Sequence, residues 1–342
     1  MVEKILVETT TKGNWIKIPA LNVNGTAVVF KGRWLKRASI LHEQWLDSEL
    51  EEPESCVKQL KEQRASGFRA DIFSFTEKLP TSRPKYEYWL EWESLATIHI
   101  TSYKDWWEKL PQETRKNVRR AQKRGVEVKV QKLDRELAEK IVEVNNDSRF
   151  RQNVPFDHYG KTVDQVMKDQ SSFLDRSDFV CAYTENELIG FLKLVHRGEL
   201  STILQFVPRA SQQDRRPANA LIAKAVELCE AKGVSYLVYG LFNYGNKQDS
   251  SLREFKIRNG FEERLIPRYF IPLTAKGTLC IKFKLHRGLL GILPPKAIRM
   301  GVAARARWYD FERFMSRCSS MLERPNRNRQ TECSNPPAGS NA

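Results

Sequence analysis

The chain has 342 residues, 41% of them hydrophobic, and carries 57 Lys and Arg against 42 Asp and Glu, a net charge of +15. That length and apolar fraction exclude a disordered chain and allow two domains, or one with large extensions. The charge points to an acidic partner: a nucleic acid, a phosphorylated ligand or an anionic membrane surface.

Six scattered cysteines include no C-x-x-C pair, which speaks against a disulfide framework and a zinc site. Cys181 and Cys229 read as buried small hydrophobes. The opening Met1–Glu8 stretch is too polar for a signal peptide, and no apolar run reaches transmembrane length. The expectation is a cytoplasmic protein.

In chain order, residues 1–101 read as a small α/β region. Asn24-Gly25 predicts a tight hairpin turn, Ser55–Gln63 a helix, and Asp71–Phe75 and Tyr86–Glu91 strands. Residues 102–125 read as a basic helix bearing Arg115, Lys116, Arg119, Arg120, Lys123 and Arg124, with only Val118 and Ala121 as an apolar stripe. Such a helix either connects two domains or faces an anionic ligand or RNA.

From Val126 the pattern is regular. A strand (Val126–Leu133) precedes two helices, around Leu137–Val144 and Thr162–Leu174. Three strands follow: Phe179–Thr184, Leu188–Val195 and Ser201–Val207. A basic turn, Ser211-Gln212-Gln213-Asp214-Arg215-Arg216, leads into a helix opened by Pro217 and closed by Gly233, as proline and glycine prefer. A strand (Val234–Tyr239), a helix with Phe255-Lys256, and a last strand after Asn259-Gly260-Phe261 complete a βααβββαβαβ order over residues 126–275. Residues 276–317 read as basic amphipathic helices. Ile281–Arg317 holds nine Lys and Arg against two Asp and Glu, interleaved with Leu, Trp and Phe, a pattern suited to an anionic lipid surface. Residues 318–342 read as a disordered tail.

This order resembles the GNAT fold of N-acyltransferases. Arg115–Ala121 followed by Gly125-Val126, and Phe255-Lys256 followed by Asn259-Gly260-Phe261, resemble the Fem-like branch. The resemblance implies an α/β (α+β) GNAT-like mixed central sheet with flanking helices. It is preceded by a smaller α/β region, read either as a degenerate GNAT-like copy or an unrelated cap, and followed by basic helices. In that branch acyl or aminoacyl groups pass to amines of cell-envelope precursors. The implied partner is an anionic, amino-bearing acceptor, with tRNA as a second partner if the donor is aminoacyl-tRNA, and peripheral contact with the inner face of an anionic membrane. No metal and no DNA are implied.

The resemblance also implies site residues. The donor loop maps to Arg215, Arg216, Ala218, Asn219 and Ala220, where acyl-CoA would be held. Ala218 replaces a glycine that lets backbone approach a pyrophosphate, and Pro217 removes an N–H. Backbone near Phe206 and Val207 would meet the acyl group. Lys256 beside Phe255 is the leading catalytic candidate, an ammonium for developing negative charge, against the alternative of an ordinary surface lysine. His158 is a second candidate as a base near neutral pH, and Tyr244 a third as proton donor to a leaving group. Tyr159, Lys161 and Arg151, in one loop, and Gln205 would bind substrate. A further alternative is a binding module that has lost catalysis with its glycine. There is no G-x-S-x-G, H-E-x-x-H, Walker lysine or dinucleotide fingerprint.

Overall fold

The computed structural model describes residues 2–11, 14–41, 50–63, 68–80, 83–151, 154–243 and 251–288, with 300, 301, 304 and 307. The chain divides into two units: Met1–Arg149 with Phe156–Leu293, and Phe150–Pro155 with Pro294–Ala342.

The larger unit opens with a long hairpin, Val2–Thr11 (β1) and Asn14–Val23 (β2). Asn24 and Gly25, with φ of 50° and 83°, turn the chain into Thr26–Lys31 (β3). These are the two left-handed residues a tight hairpin turn requires. Arg37–Ile40 (β4) returns antiparallel. Pro53–Glu62 (α1) buries Pro53, Cys56 and Leu60 and crosses to Ile72–Thr76 (β5), parallel to β4. Trp89–His99 (β6) follows.

The second half starts with Tyr103–Lys109 (α2), whose Ser102 cap accepts from the Asp105 N–H. Gln112–Lys123 (α3) ends at Gly125, φ 74°. Then come Glu127–Gln131 (β7) and Arg135–Asn146 (α4), capped by Asp134. Phe150–Arg151 (β8) and Val154–Pro155 (β9) form a short antiparallel pair within the smaller unit. Val163–Gln170 (α5) starts with a reciprocal Thr162/Gln165 capping box, which satisfies two exposed N–H groups at once. There follow Ser177–Thr184 (β10), Glu187–Arg197 (β11), Leu200–Pro208 (β12), Pro217–Ala231 (α6), Tyr236–Leu241 (β13), Ser251–Arg258 (α7), Glu262–Pro272 (β14) and Ala275–Lys282 (α8). The order read from sequence for residues 126–275 is observed with one addition, the short β8–β9 pair between α4 and α5.

Twelve of these strands form one sheet, ordered β1-β2-β3-β4-β5-β14-β6-β13-β12-β11-β10-β7. The order repeats itself outward from its middle. The pairs β4/β5 and β12/β13 are parallel, each joined by one helix, α1 or α6. Outside each lies a run of antiparallel neighbours. Inside, β14 pairs with β5, and β6 pairs with β13. The first region thus repeats the strand pattern of the second in reduced form, and each of these two structural copies pairs its last strand with the other. The expected boundaries at residues 101 and 126 do not separate two sheets.

The second copy is covered on both faces, so its strands read as near-continuous apolar runs; every residue of β10 is buried. Alternation decides the face. Phe179, Cys181 and Tyr183 pack under α4 and α5 with Leu137, Ile141, Val144 and Val166. Val180 and Ala182 pack under α6 and α3 with Leu221, Ile222, Val226 and Val118. Each large apolar side chain buried there contributes roughly 1.5–3 kcal/mol. On the α5 side the β1–β2 hairpin reaches across, and Trp15 Nε1 donates to Asp169 Oδ1 at 2.8 Å.

Candidate functional site

β12 and β13 stay together for only three rungs, Leu200↔Tyr236 to Thr202↔Val238. Immediately beyond, the pairing of β12 with β11 shifts between Leu194↔Ile203 and Lys193↔Gln205, leaving Leu204 as an extra residue. Such a bulge bends and twists its strand. The register of β13 with β6 slips at the same level, after Val238. The two strands part, and three half-buried rings fill the wedge. Phe206 of β12 lies 5.7 Å from Tyr239 of β13, edge to face, and 5.7 Å from Phe255 of α7, stacked.

Lys256 sits under these rings. It is 0% exposed. Its Nζ donates to the Leu241 carbonyl at 2.6 Å and lies 4.5 Å from the centre of the Tyr239 ring. The alternative of an ordinary surface lysine is corrected. Burial pushes its ammonium down from 10.5 to about 8, because a low-dielectric setting penalises the charged form. α7 is placed by its own ending: Gly260 takes φ 82°, and a Cβ there would lie 2.7 Å from Trp106 Nε1. A cation in a dry setting interacts with a developing negative charge far more strongly than one in water.

The loop before α6 is fastened from three sides. Asp147, after α4, accepts from Ala210 N at 2.7 Å and from Ser211 N and Oγ at 3.1 and 2.5 Å. Burial alone would raise its carboxyl, but those hydrogen bonds and the Arg209 charge hold it below the usual range. Arg215 donates to the Arg124 carbonyl at 3.1 Å, and Arg124 pairs with Asp214 at 3.1 Å. Asn219 Nδ2 donates to Asn259 Oδ1 at 3.0 Å, tying the first turn of α6 to the end of α7. Arg216 is exposed and left-handed, φ 59°. Pro217 has no N–H, and the Ala220 N–H bonds the Arg216 carbonyl at 3.4 Å. Ala218 completes the turn. Backbone donors for a pyrophosphate are thus few, and Arg215 braces the loop against α3.

The other predicted residues lie elsewhere. His158 Nδ1 is 3.4 Å and Lys161 Nζ 2.5 Å from Asp169 Oδ2. Burial would raise Asp169, yet hydrogen bonds from His158, Lys161 and Trp15 hold it at about 2. Both side chains therefore serve a carboxylate that anchors the β1–β2 hairpin to α5. Gln205 accepts from the Gln170 side chain, on the same face. Next to it Lys193 is fully buried, donates to the Gln170 and Ser172 carbonyls at 2.6 Å each, and is pushed down to about 8 by burial. The sheet stands between this group and Lys256, so the expectation that His158 and Lys256 share a site is corrected. Tyr159 is largely exposed. Arg151 lies in β8, within the smaller unit. Tyr244, and most of the basic segment 276–317 with the tail, lie outside the described residues. Val207 packs under α4.

Sequence reading missed Tyr239, which roofs Lys256, and Asn259, which is buried and joins α6 to α7. It also missed Lys193, although a lysine inside Phe191-Leu192-Lys193-Leu194-Val195 was a visible signal. A third arrangement links Asp178 Oδ2, His196 and Ser201 Oγ at 3.0 and 2.6 Å. Ser201 is 0% exposed, within the sheet interior.

No family model matches the sequence, and no curated protein matches it. Solved structures do. FemX aligns with 82% of this chain and 90% of its own, at 10% identity and a TM-score of 0.53. L-PGS from Bacillus licheniformis aligns with 79% and 88%, at 15% identity and 0.51. A C-terminal domain (DUF2156) from Agrobacterium fabrum, described as that of a lysylphosphatidylglycerol synthetase, aligns with 82% and 88%, at 13% identity and 0.52. The chain shares the Fem-like fold of these structures.

Proposed function

We propose that this chain is an acyltransferase that forms an amide on an amino group of a cell-envelope precursor, with Lys256 as its central charge. The observation that carries the reading is the parting of β12 and β13 over a buried lysine. In the proposed reaction a neutral amine attacks the donor carbonyl. Negative charge grows on the carbonyl oxygen, and the Lys256 ammonium and backbone N–H groups near Phe206 and Val207 stabilise it. Collapse expels the donor's leaving oxygen, the proton lost by the attacking nitrogen balances the one that oxygen takes up, and the amide is left on the acceptor. The ring layer over Lys256 opens for the carbonyl to enter.

Of the two donors, the filled wedge favours an aminoacyl ester presented at its rim over acyl-CoA threaded through it. Phe206, Tyr239 and Phe255 stand where a pantetheine arm would pass, and the loop before α6 offers few pyrophosphate donors. The exposed basic side of α3 suits a tRNA backbone. Thermal-shift titration against acetyl-CoA, longer acyl-CoAs and aminoacyl-tRNA is the test, because a true donor stabilises the folded state by mass action. Stabilisation by aminoacyl-tRNA alone, lost steeply with salt, supports the reading. Stabilisation by an acyl-CoA alone replaces it with the acyl-CoA reading, and no response to any donor favours a binding module.

A further inference from the structure

α8 carries an exposed stripe that its core does not need. Gly277, Cys280 and Ile281 face inward, and a Cβ on Gly277 would lie 1.9 Å from the Asp71 carbonyl oxygen, so the helix is seated hard against the start of β5. On its outer side Lys276, Leu279 and Phe283 recur at i, i+3 and i+7, the spacing of one helical face. Leu279 is 55% and Phe283 64% exposed. The stripe continues onto the β3–β4 turn. There Trp34, 63% exposed, meets the Lys276 ammonium, which lies 4.7 Å from its ring centre and donates to its carbonyl. Leu35 and Leu285 pack on the shared core of Ile72, Phe270, Cys280 and Ile281, which locks turn and helix together.

We infer that this Trp34–Leu279–Phe283 platform is a membrane-docking surface that seats the protein on an anionic lipid leaflet. Three large exposed apolar side chains on this turn and helix, with an indole among them, suit the headgroup boundary. Charge names the occupant. The segments 32–36 and 275–284 hold Arg33, Lys36, Lys276, Lys282 and Lys284 and no Asp or Glu; the neighbouring Asp71 is engaged at 3.7 Å by Lys276. A second copy on the same surface would set these cations against each other. In sequence, the chain leaves the platform after Gly288 through Leu289-Leu290-Gly291-Ile292-Leu293 into further basic residues, so the lipid-suited composition is continuous with it.

The test is co-sedimentation of the full chain with vesicles of phosphatidylcholine alone, or of phosphatidylcholine and phosphatidylglycerol at roughly two to one. The wild type is expected to partition onto the anionic vesicles and to be released by salt. Trp34→Ser with Phe283→Ser is expected to weaken partitioning about tenfold while the circular-dichroism melt stays unchanged, since both side chains are exposed. Lys282→Ala and Lys284→Ala are expected to cost about fivefold each, on anionic vesicles only. Unchanged partitioning of the Trp34/Phe283 variant, equal binding to both vesicle types, or loss of a dimer in the same variant would each overturn the proposal. Lys256→Met should bind vesicles like the wild type, so this outcome is separate from that of the transferase reading.

Discussion

Replacing Lys256 by Met keeps an unbranched stem of similar length and removes only the ammonium. Two stability effects oppose each other. Burial lowers the group from 10.5 to about 8, so holding it charged at neutral pH costs at most about 3 kcal/mol. That cost disappears in the variant. The Leu241 carbonyl loses its 2.6 Å donor, and a buried unsatisfied acceptor costs about 1–3 kcal/mol. The unfolding free energy of Lys256→Met, read from urea melts, should therefore change by no more than about 3 kcal/mol in either direction. Activity should behave differently. Removing one preorganised charge from a developing oxyanion lowers turnover by about 10²–10³-fold. The assay is single-turnover transfer from labelled aminoacyl-tRNA to an amino-bearing envelope precursor. The wild-type rate should also fall as pH rises through about 8 and the ammonium is lost, while the residual rate of the variant loses that limb. A folded Lys256→Met that turns over at the wild-type rate would refute the role.

Stability should climb between about pH 8 and 10.5. Lys193 and Lys256 have folded values below their unfolded ones, so the unfolded chain binds more protons in that window. The urea midpoint should rise across this window for the wild type, and by less for Lys193→Met, which keeps only the Lys256 contribution. At the acid end, Asp169 and Asp178 are held at about 2. Their contribution is full above about pH 4 and is lost as pH falls toward 2; Asp169→Asn should remove its share of that slope. Phe255→Ala should open the wedge. If the rings are what exclude a thioester arm, acetyl-CoA should then produce a thermal shift that the wild type does not show. Gly277→Ala should destabilise the fold by about 1–3 kcal/mol through overpacking against Asp71, measured by urea denaturation.

Much of the second copy was legible because its signals are local. In the first region too, Asn24-Gly25 marks a turn that does take left-handed φ values. Pro217 and Gly233 bracket α6 within a residue or two. The long β1–β2 hairpin was not legible. β1 alternates only loosely, and much of it is exposed, so its pairing depends on a partner strand. Phe255-Lys256 was singled out by its motif, but the burial of Lys256 was not legible, since α7 alone reads as a polar helix. His158 and Lys161 looked like chemistry because a cation-rich loop carries no sign of the carboxylate it serves. Asp169 lies eight residues beyond Lys161 and meets Trp15 from the far end of the chain.

The order of strands and helices, their caps and turns, and the basic character of α3 follow from neighbours within a few residues, where backbone sterics and hydrogen-bonding preference act. Which strands exchange between the copies, where β12 and β13 part, and which face each charge occupies depend on contacts between segments up to 250 residues apart. Loop closure and packing decide those contacts, and a periodic pattern in one segment holds no record of the surface it will meet.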